Sequence, residues 1–159
     1  MTEPELEEAG SRSSIAKLPL GAAIVAVVGI IDSVYLTVHH FTAEPVPCSL
    51  IEGCEQVLTS AYAEIAGIPL AGFGAAAYFV AFSLALLAAF GDRRMWRLFG
   101  IHATLMAVFS GWLLYVQAAL IGAFCQFCLL SAITTFILFS LYVVSIFADR
   151  ARPALSDIE

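Results

Sequence analysis

Four long apolar runs dominate the chain, at residues 18–38, 71–90, 98–120 and 129–148. Each is close to the ~20 residues an α-helix needs to cross a hydrocarbon core ~30 Å thick. The stretches between them are short, except for residues 39–70. There, after Cys54, Val57, Leu58, Ala61, Tyr62 and Ile65 recur at helical spacing. Glu55, Gln56, Thr59, Ser60 and Glu64 take the opposite face, and Gly67 and Pro69 supply a stop. That pattern predicts a short amphipathic helix on the membrane surface. The expected fold is an all-α membrane protein: a four-transmembrane-helix bundle with one outer loop carrying a short amphipathic helix.

Composition agrees. Of 159 residues, 61% are hydrophobic and 13% charged, far from the balance of a soluble domain. The length suits one bundle and no second globular domain. The first run is too long for a cleavable signal peptide, follows an acidic stretch, and lacks a small-residue cleavage site. Residues 1–17, rich in acids, are expected to be disordered. Residues 18–148 form the expected membrane domain, with its outer loop at 39–70, and 149–159 a short tail.

The seven basic residues give a topology. Arg12 and Lys17 precede the first run, Arg93, Arg94 and Arg97 separate the second and third, and Arg150 and Arg152 follow the fourth. Four crossings put all seven on one side, which the positive-inside rule makes the cytoplasm. Both termini are then cytoplasmic in a multi-pass inner-membrane protein. The net charge of −6 gives no reason to expect nucleic acid as a partner.

All four cysteines fall on the opposite, outer side. Cys48 and Cys54 lie in the loop; Cys125 and Cys128 form a C-x-x-C where the last helix begins. A periplasmic setting lets disulfides persist. Two inert staples are one reading. Zinc is another, but zinc sites favour paired C-x-x-C knuckles, and the loop spacing differs. A soft-metal site for Cu(I) would call for Met or His nearby, whereas Met1, Met95 and Met106 lie elsewhere. A C-x-x-C at a helix start favours thiolate, the nucleophile of disulfide exchange. Cys128 should lie ~4.5 Å deeper than Cys125 along the helix. Cys125 is therefore suited to a loop cysteine and Cys128 to something dissolved in lipid. Cys48, after the extended "AEPVP", is open to a soluble partner, and Cys54 can swing toward Cys125.

The stretch "CSLIEGCEQVLTSAYAEIAGIPLAGFG", followed far downstream by "CQFC", resembles the bacterial branch of the vitamin K epoxide reductase family over residues 18–148. The resemblance implies a four-helix bundle around a quinone, ubiquinone or menaquinone (vitamin K), without a metal. It implies a thiol oxidoreductase that generates disulfides in a thioredoxin-like, DsbA-type protein and passes two electrons to quinone. Cys48 would exchange with that partner, Cys54 would relay to Cys125, Cys128 would face the quinone, and Ser60 would support the loop or the quinone region. Many bacterial members carry a fused thioredoxin-like domain. This chain stops at residue 159, so the partner is expected to act in trans. Animal members carry a tyrosine where Ala132 stands here, which favours quinone reduction over the alternative, vitamin K epoxide reduction by the same cysteines. The DsbB type shares the helix count but has its C-x-x-C in the first outer loop.

For the quinone pocket the candidates are Asp32, Tyr35, Phe73, Tyr115 and Phe127, beside Ser60, with Tyr78 and Trp112 as further aromatics. Asp32 is an ionisable residue inside a membrane helix, a functional hypothesis by default. It could relay protons or hydrogen-bond a quinone carbonyl; its bland role is to bond a neighbouring helix. The aromatics serve equally as packing or interfacial belt. His39 and His40 are expected at the outer interface, and His102 has no assigned role.

Overall fold

The computed structural model describes residues 3–42, 46–48 and 53–156. Helix α1 spans Glu3–Thr42, α2 Cys54–Leu58, α3 Leu70–Ala89, α4 Arg93–Tyr115 and α5 Gln126–Ser156; α4 runs on as a π-helical turn, Val116–Ile121. Four stretches are long and apolar enough to cross a membrane: Lys17–Thr42, Leu70–Ala89, Arg93–Ile121 and Gln126–Asp149. They coincide with the four runs of the sequence. Their outward faces carry large bare side chains, among them Ile24, Ile31, Leu105, Val108 and Phe147, each more than 60% exposed. Such a girdle is tolerable only against lipid. The protein is a multi-pass membrane protein built as an all-α bundle.

The helices meet through small residues. Ala22, Ala23 and Ala26 of α1, Ala81 and Ala85 of α3, and Ala103 of α4 are buried together, with Tyr78, Phe99 and Leu138 filling the space between. Lipid gives apolar surface no reason to leave it, so close backbone approach is what holds membrane helices together. Gly29 shows how close: a Cβ there would run into the Tyr78 ring. At the end away from the cysteines, Gly91 (φ +104°) turns the chain from α3 into α4. Asp92 then caps α4, its Oδ1 accepting from the Arg94 N–H at 2.8 Å.

Two segments differ from the sequence expectation. The amphipathic helix α2 has five residues, with Cys54 and Val57 buried, and stops at Leu58. The face expected to reach Ile65 is not helical. The hydroxyls of Thr59 and Ser60 fold back to donate to the Glu55 and Val57 carbonyls, at 2.6 and 2.7 Å. Such local bonds compete with helix propagation. A two-residue hairpin follows, β1 Glu64–Ile65 against β2 Ile68–Pro69. Ala66 (φ 53°) and Gly67 (φ 79°) turn it in the left-handed region, as a tight two-residue turn requires. At the other extreme, α1 is helical from Glu3, where composition predicts disorder. "ELEEA" is made of good helix formers, and the membrane helix downstream removes the cost of nucleation.

The Gly29–Tyr78 fit yields a stability prediction. Gly29→Ala is expected to lower the unfolding free energy in detergent by about 1–3 kcal/mol, the range for overpacking. Thermal denaturation followed by circular dichroism measures it.

Candidate active site

One end of the bundle collects all four cysteines. Helix α2 lies against the turn that leads into α5, and the fit leaves no room: a Cβ on Gly53 would sit 2.6 Å from the Phe124 carbonyl oxygen and 2.9 Å from its nitrogen. Cys54 and Cys125 are buried in one cluster with Val57 and Ala123, and Cys48 and Cys128 pack against it. Cys48 and Cys54 form a disulfide, with Cα atoms 6.3 Å apart. Cys125 and Cys128 are free thiols. The Gln126 side chain adds a tie to the loop by donating to the Pro47 carbonyl at 3.4 Å.

The π-helical turn at the end of α4 sets the position of Cys125. Gln117, 3% exposed, extends its Oε1 to accept the Cys125 N–H at 3.0 Å. Its own carbonyl accepts the Ala123 N–H at 3.2 Å. One residue thus fixes both ends of the short turn, and Gly122 (φ 70°) makes the reversal. π-turns often mark functional positions because they re-aim a side chain within a helix. Sequence reasoning passed over Gln117. The available signal was an amide in an otherwise apolar helix end, "YVQAALI", eight residues before Cys125.

Cys125 precedes the first turn of α5, and its carbonyl accepts the Leu129 N–H at 2.9 Å. Donation from the Cys128 thiol pulls the Cys125 thiol down from 9.0 to about 7; burial opposes this, and the backbone N–H groups of Cys128 and Phe127 assist it. The two thiols are therefore unequal, with Cys125 the readier thiolate and Cys128 the donor that stabilises it.

A cavity of about 300 Å³ opens beside this cluster, and Cys128 lines it. Its wall is mostly apolar, including Leu36, Phe73, Met106, Phe109 and Leu113. Size and character suit a small organic ring. Polar groups converge at a few points. The Tyr78 hydroxyl donates to the Ser131 carbonyl at 2.6 Å and meets the Ser131 and Thr135 hydroxyls at 2.9 and 2.8 Å. That network pins α3 to α5 a few residues beyond Cys128.

Of the residues proposed from sequence for the pocket, Asp32, Ser60 and Phe73 line the cavity, together with Tyr78. Tyr35, Tyr115 and Phe127 are not in its wall. Helical period explains the split. In α1 the inward face carries Asp32, Ser33, Leu36 and His40, and in α4 Met106, Phe109, Ser110, Leu113 and Leu114. Tyr115 falls on the opposite face, 61% exposed, and Trp112 is likewise turned out at 48%. Tyr35 packs at a tilt against His39 and Phe127, with ring centroids 4.4 and 5.3 Å away. Phe127 packs against the cysteine cluster. His40 pairs with Glu64 of the hairpin at 3.2 Å. His102 bonds the Ala77 carbonyl at 2.9 Å, within the bundle. Among the described residues, no three His, Cys, Asp or Glu side chains are grouped to hold a metal.

Two measurements probe this geometry. With the loop disulfide intact and the inner pair reduced, the Cys125 thiolate should appear as pH rises through about 7 and be lost below it. Ultraviolet thiolate absorbance reports this, and Cys128→Ala should move the midpoint upward by removing the donor. In a background keeping only Cys54 and Cys125, Gly53→Ala should weaken disulfide formation between them by about 5- to 150-fold, since overpacking costs about 1–3 kcal/mol. Alkylation mapping against a redox buffer reads the equilibrium.

A model of the vitamin K epoxide reductase family matches residues 20–143. The thiol-disulfide oxidoreductase LTO1 of Arabidopsis thaliana is 36% identical over 125 residues, which cover 71% of this chain and 32% of that protein. The chain therefore spans about a third of the length of the curated relative it matches. The family match takes in both thiols of the C-x-x-C, the loop disulfide and the helices that wall the cavity, and the chain belongs to the vitamin K epoxide reductase family.

Proposed function

We propose that the protein is a quinone-linked thiol oxidoreductase that forms disulfides in a thioredoxin-like partner. One observation carries this reading: Cys54 and Cys125 are buried in one cluster, while Cys128, three residues on, lines an apolar cavity. That is a route from a loop disulfide to a lipid-soluble acceptor. The seven basic residues of the sequence, all expected at the other end of the bundle, support a reading with that end in the cytoplasm and the cysteines on the periplasmic side.

In this reading the exchange begins at the loop disulfide. A thiolate of the reduced partner attacks Cys48, the loop cysteine outside the buried core of the cluster, and Cys54 leaves. The partner's second thiol resolves the mixed disulfide, so the partner departs oxidised and the loop pair is reduced. Cys54 then attacks Cys125 of an inner Cys125–Cys128 disulfide, and Cys128 leaves. Cys48 displaces Cys125 from Cys54, which restores the loop disulfide and leaves an inner dithiol. The described combination, loop disulfide with free inner thiols, corresponds to this last state. The lowered Cys125 thiol suits its role as leaving group, since low-pKa thiols leave faster.

The cavity fits a quinone head group. It is apolar, of suitable volume, and furnished with Asp32, Tyr78, Gln117, Ser131 and Thr135. When bound, a quinone supplies the acceptor for two electrons and two protons. The residues of this chain orient it, exclude water and bring Cys128 to it. Ser60, whose hydroxyl is bonded back to Val57, shapes the wall near the loop. Ala132 also lines the cavity, leaving space where a larger residue would project into the chamber.

The test is quinol formation by purified protein given a reduced thioredoxin-like protein and decylubiquinone. All four cysteines should be required, with each single Cys→Ala variant falling to the rate of the protein-free mixture. Cys48→Ala should also accumulate a Cys54–Cys125 disulfide, because the thiol that resolves it is gone. If both pairs stay unchanged in redox state and no quinol forms, the cysteines are structural staples.

A further inference from the structure

Asp32 lies in the apolar half of α1 and is 6% exposed. Neither carboxylate oxygen has a hydrogen-bond partner, and no other buried side-chain nitrogen or oxygen among the described residues is left so. It lines the same cavity as Cys128, which reaches that cavity from α5. It is within electrostatic reach of Tyr78, Cys125 and Cys128. The bland role expected of it, a hydrogen bond to a neighbouring helix, is missing. Tyr78, which shares the cavity, directs its hydroxyl to α5 instead.

We propose that Asp32 is the catalytic acid of the cavity, delivering a proton to the carbonyl oxygen of the acceptor that oxidises Cys125 and Cys128. The proposal deepens the quinone reading above and rests on it. An ionised carboxylate without a partner is strongly disfavoured inside an apolar chamber, so Asp32 carries a proton there. A neutral carboxyl group can both donate and accept. The S–S bond between Cys125 and Cys128 forms, and the two sulfurs give up two electrons and two protons. The electrons pass to the quinone. One proton reaches one quinone oxygen from the dithiol, and Asp32 gives its proton to the other. Asp32 then takes the dithiol's second proton and is restored. The site thereby selects an acceptor with a hydrogen-bonding carbonyl, a 1,4-quinone, over an apolar ring of the same size.

An orphaned acid kept for chemistry does little for stability, which separates this role from a structural one. The protein is reduced, freed of reductant and mixed with decylubiquinone, and oxidation of the inner dithiol is followed by rapid alkylation. Asp32→Asn keeps the shape but has no acidic proton. It should slow dithiol oxidation by about 100-fold or more, as loss of a general acid does, while decylubiquinone binding, read by fluorescence quenching, stays within a few fold. Its melting temperature should be unchanged or higher. Infrared difference spectra should lose a protonated-carboxyl band in Asp32→Asn, and that band should shift when decylubiquinone binds the parent. Asp32→Glu, which retains the acid, should recover part of the rate. Oxidation of Asp32→Asn within threefold of the parent overturns the proposal, as does a clear fall in its melting temperature with the rate intact. Failure of the parent dithiol to react with decylubiquinone overturns the quinone reading, and this proposal falls with it.

Discussion

The close approach of Gly53 to the backbone at Phe124 is the contact on which the cysteine end of the molecule depends. It joins two segments far apart in sequence, and only a residue without a side chain permits it. Because α2 seats there, Cys54 and Cys125 share one buried cluster rather than facing solvent separately. Everything nearby follows. The loop disulfide is anchored, the hairpin 64–69 is carried over the cavity, and Cys128 is left as the one cysteine turned to the chamber within the bundle.

Beneath that contact the bundle is held by a different logic. Its helices pack through alanines, which gain from van der Waals contact at short range and little else in a lipid setting. The polar bonds are few and placed where alignment matters. Tyr78 locks α3 to α5 beside Cys128, and the Trp96 indole donates to Ser145 at 2.9 Å toward the opposite end. A frame fixed beneath the chamber and again toward the opposite end lets the cysteine end keep an open chamber without collapsing.

Much of this was legible in the chain. Run length alone located the four spans, because a bilayer demands ~20 apolar residues from any sequence that crosses it. The cysteines could be placed at one end by counting crossings. Side-chain direction was harder. Asp32 and Phe73 lie on the inward faces of their helices, but Tyr115 does not, and interfacial aromatics look the same in sequence whichever way they point. The loop misled most. Its apolar spacing fits a helix to Ile65, yet the Thr59 and Ser60 hydroxyls and the left-handed Ala66–Gly67 turn end it sooner. Periodicity reports burial; it is silent on hydroxyls that bond their own backbone. Gln117 shows in sequence only as a lone amide in an apolar helix end, and nothing in a helical pattern announces the change of winding that aims it.

That change of winding bears on how the chain can tolerate change in length. A π-turn holds an extra residue within a helix. Removing one residue from Val116–Ile121 would let α4 continue as an ordinary helix, and the span would still be long enough to cross the bilayer. Hydropathy would register almost nothing. Yet each residue past the deletion would swing by about 100° around the helix axis, and Cys125 would no longer meet the Gln117 amide that steadies it. The segment is thus a place where an alignment gap of one carries more meaning than most substitutions, and where length, not composition, encodes the chemistry.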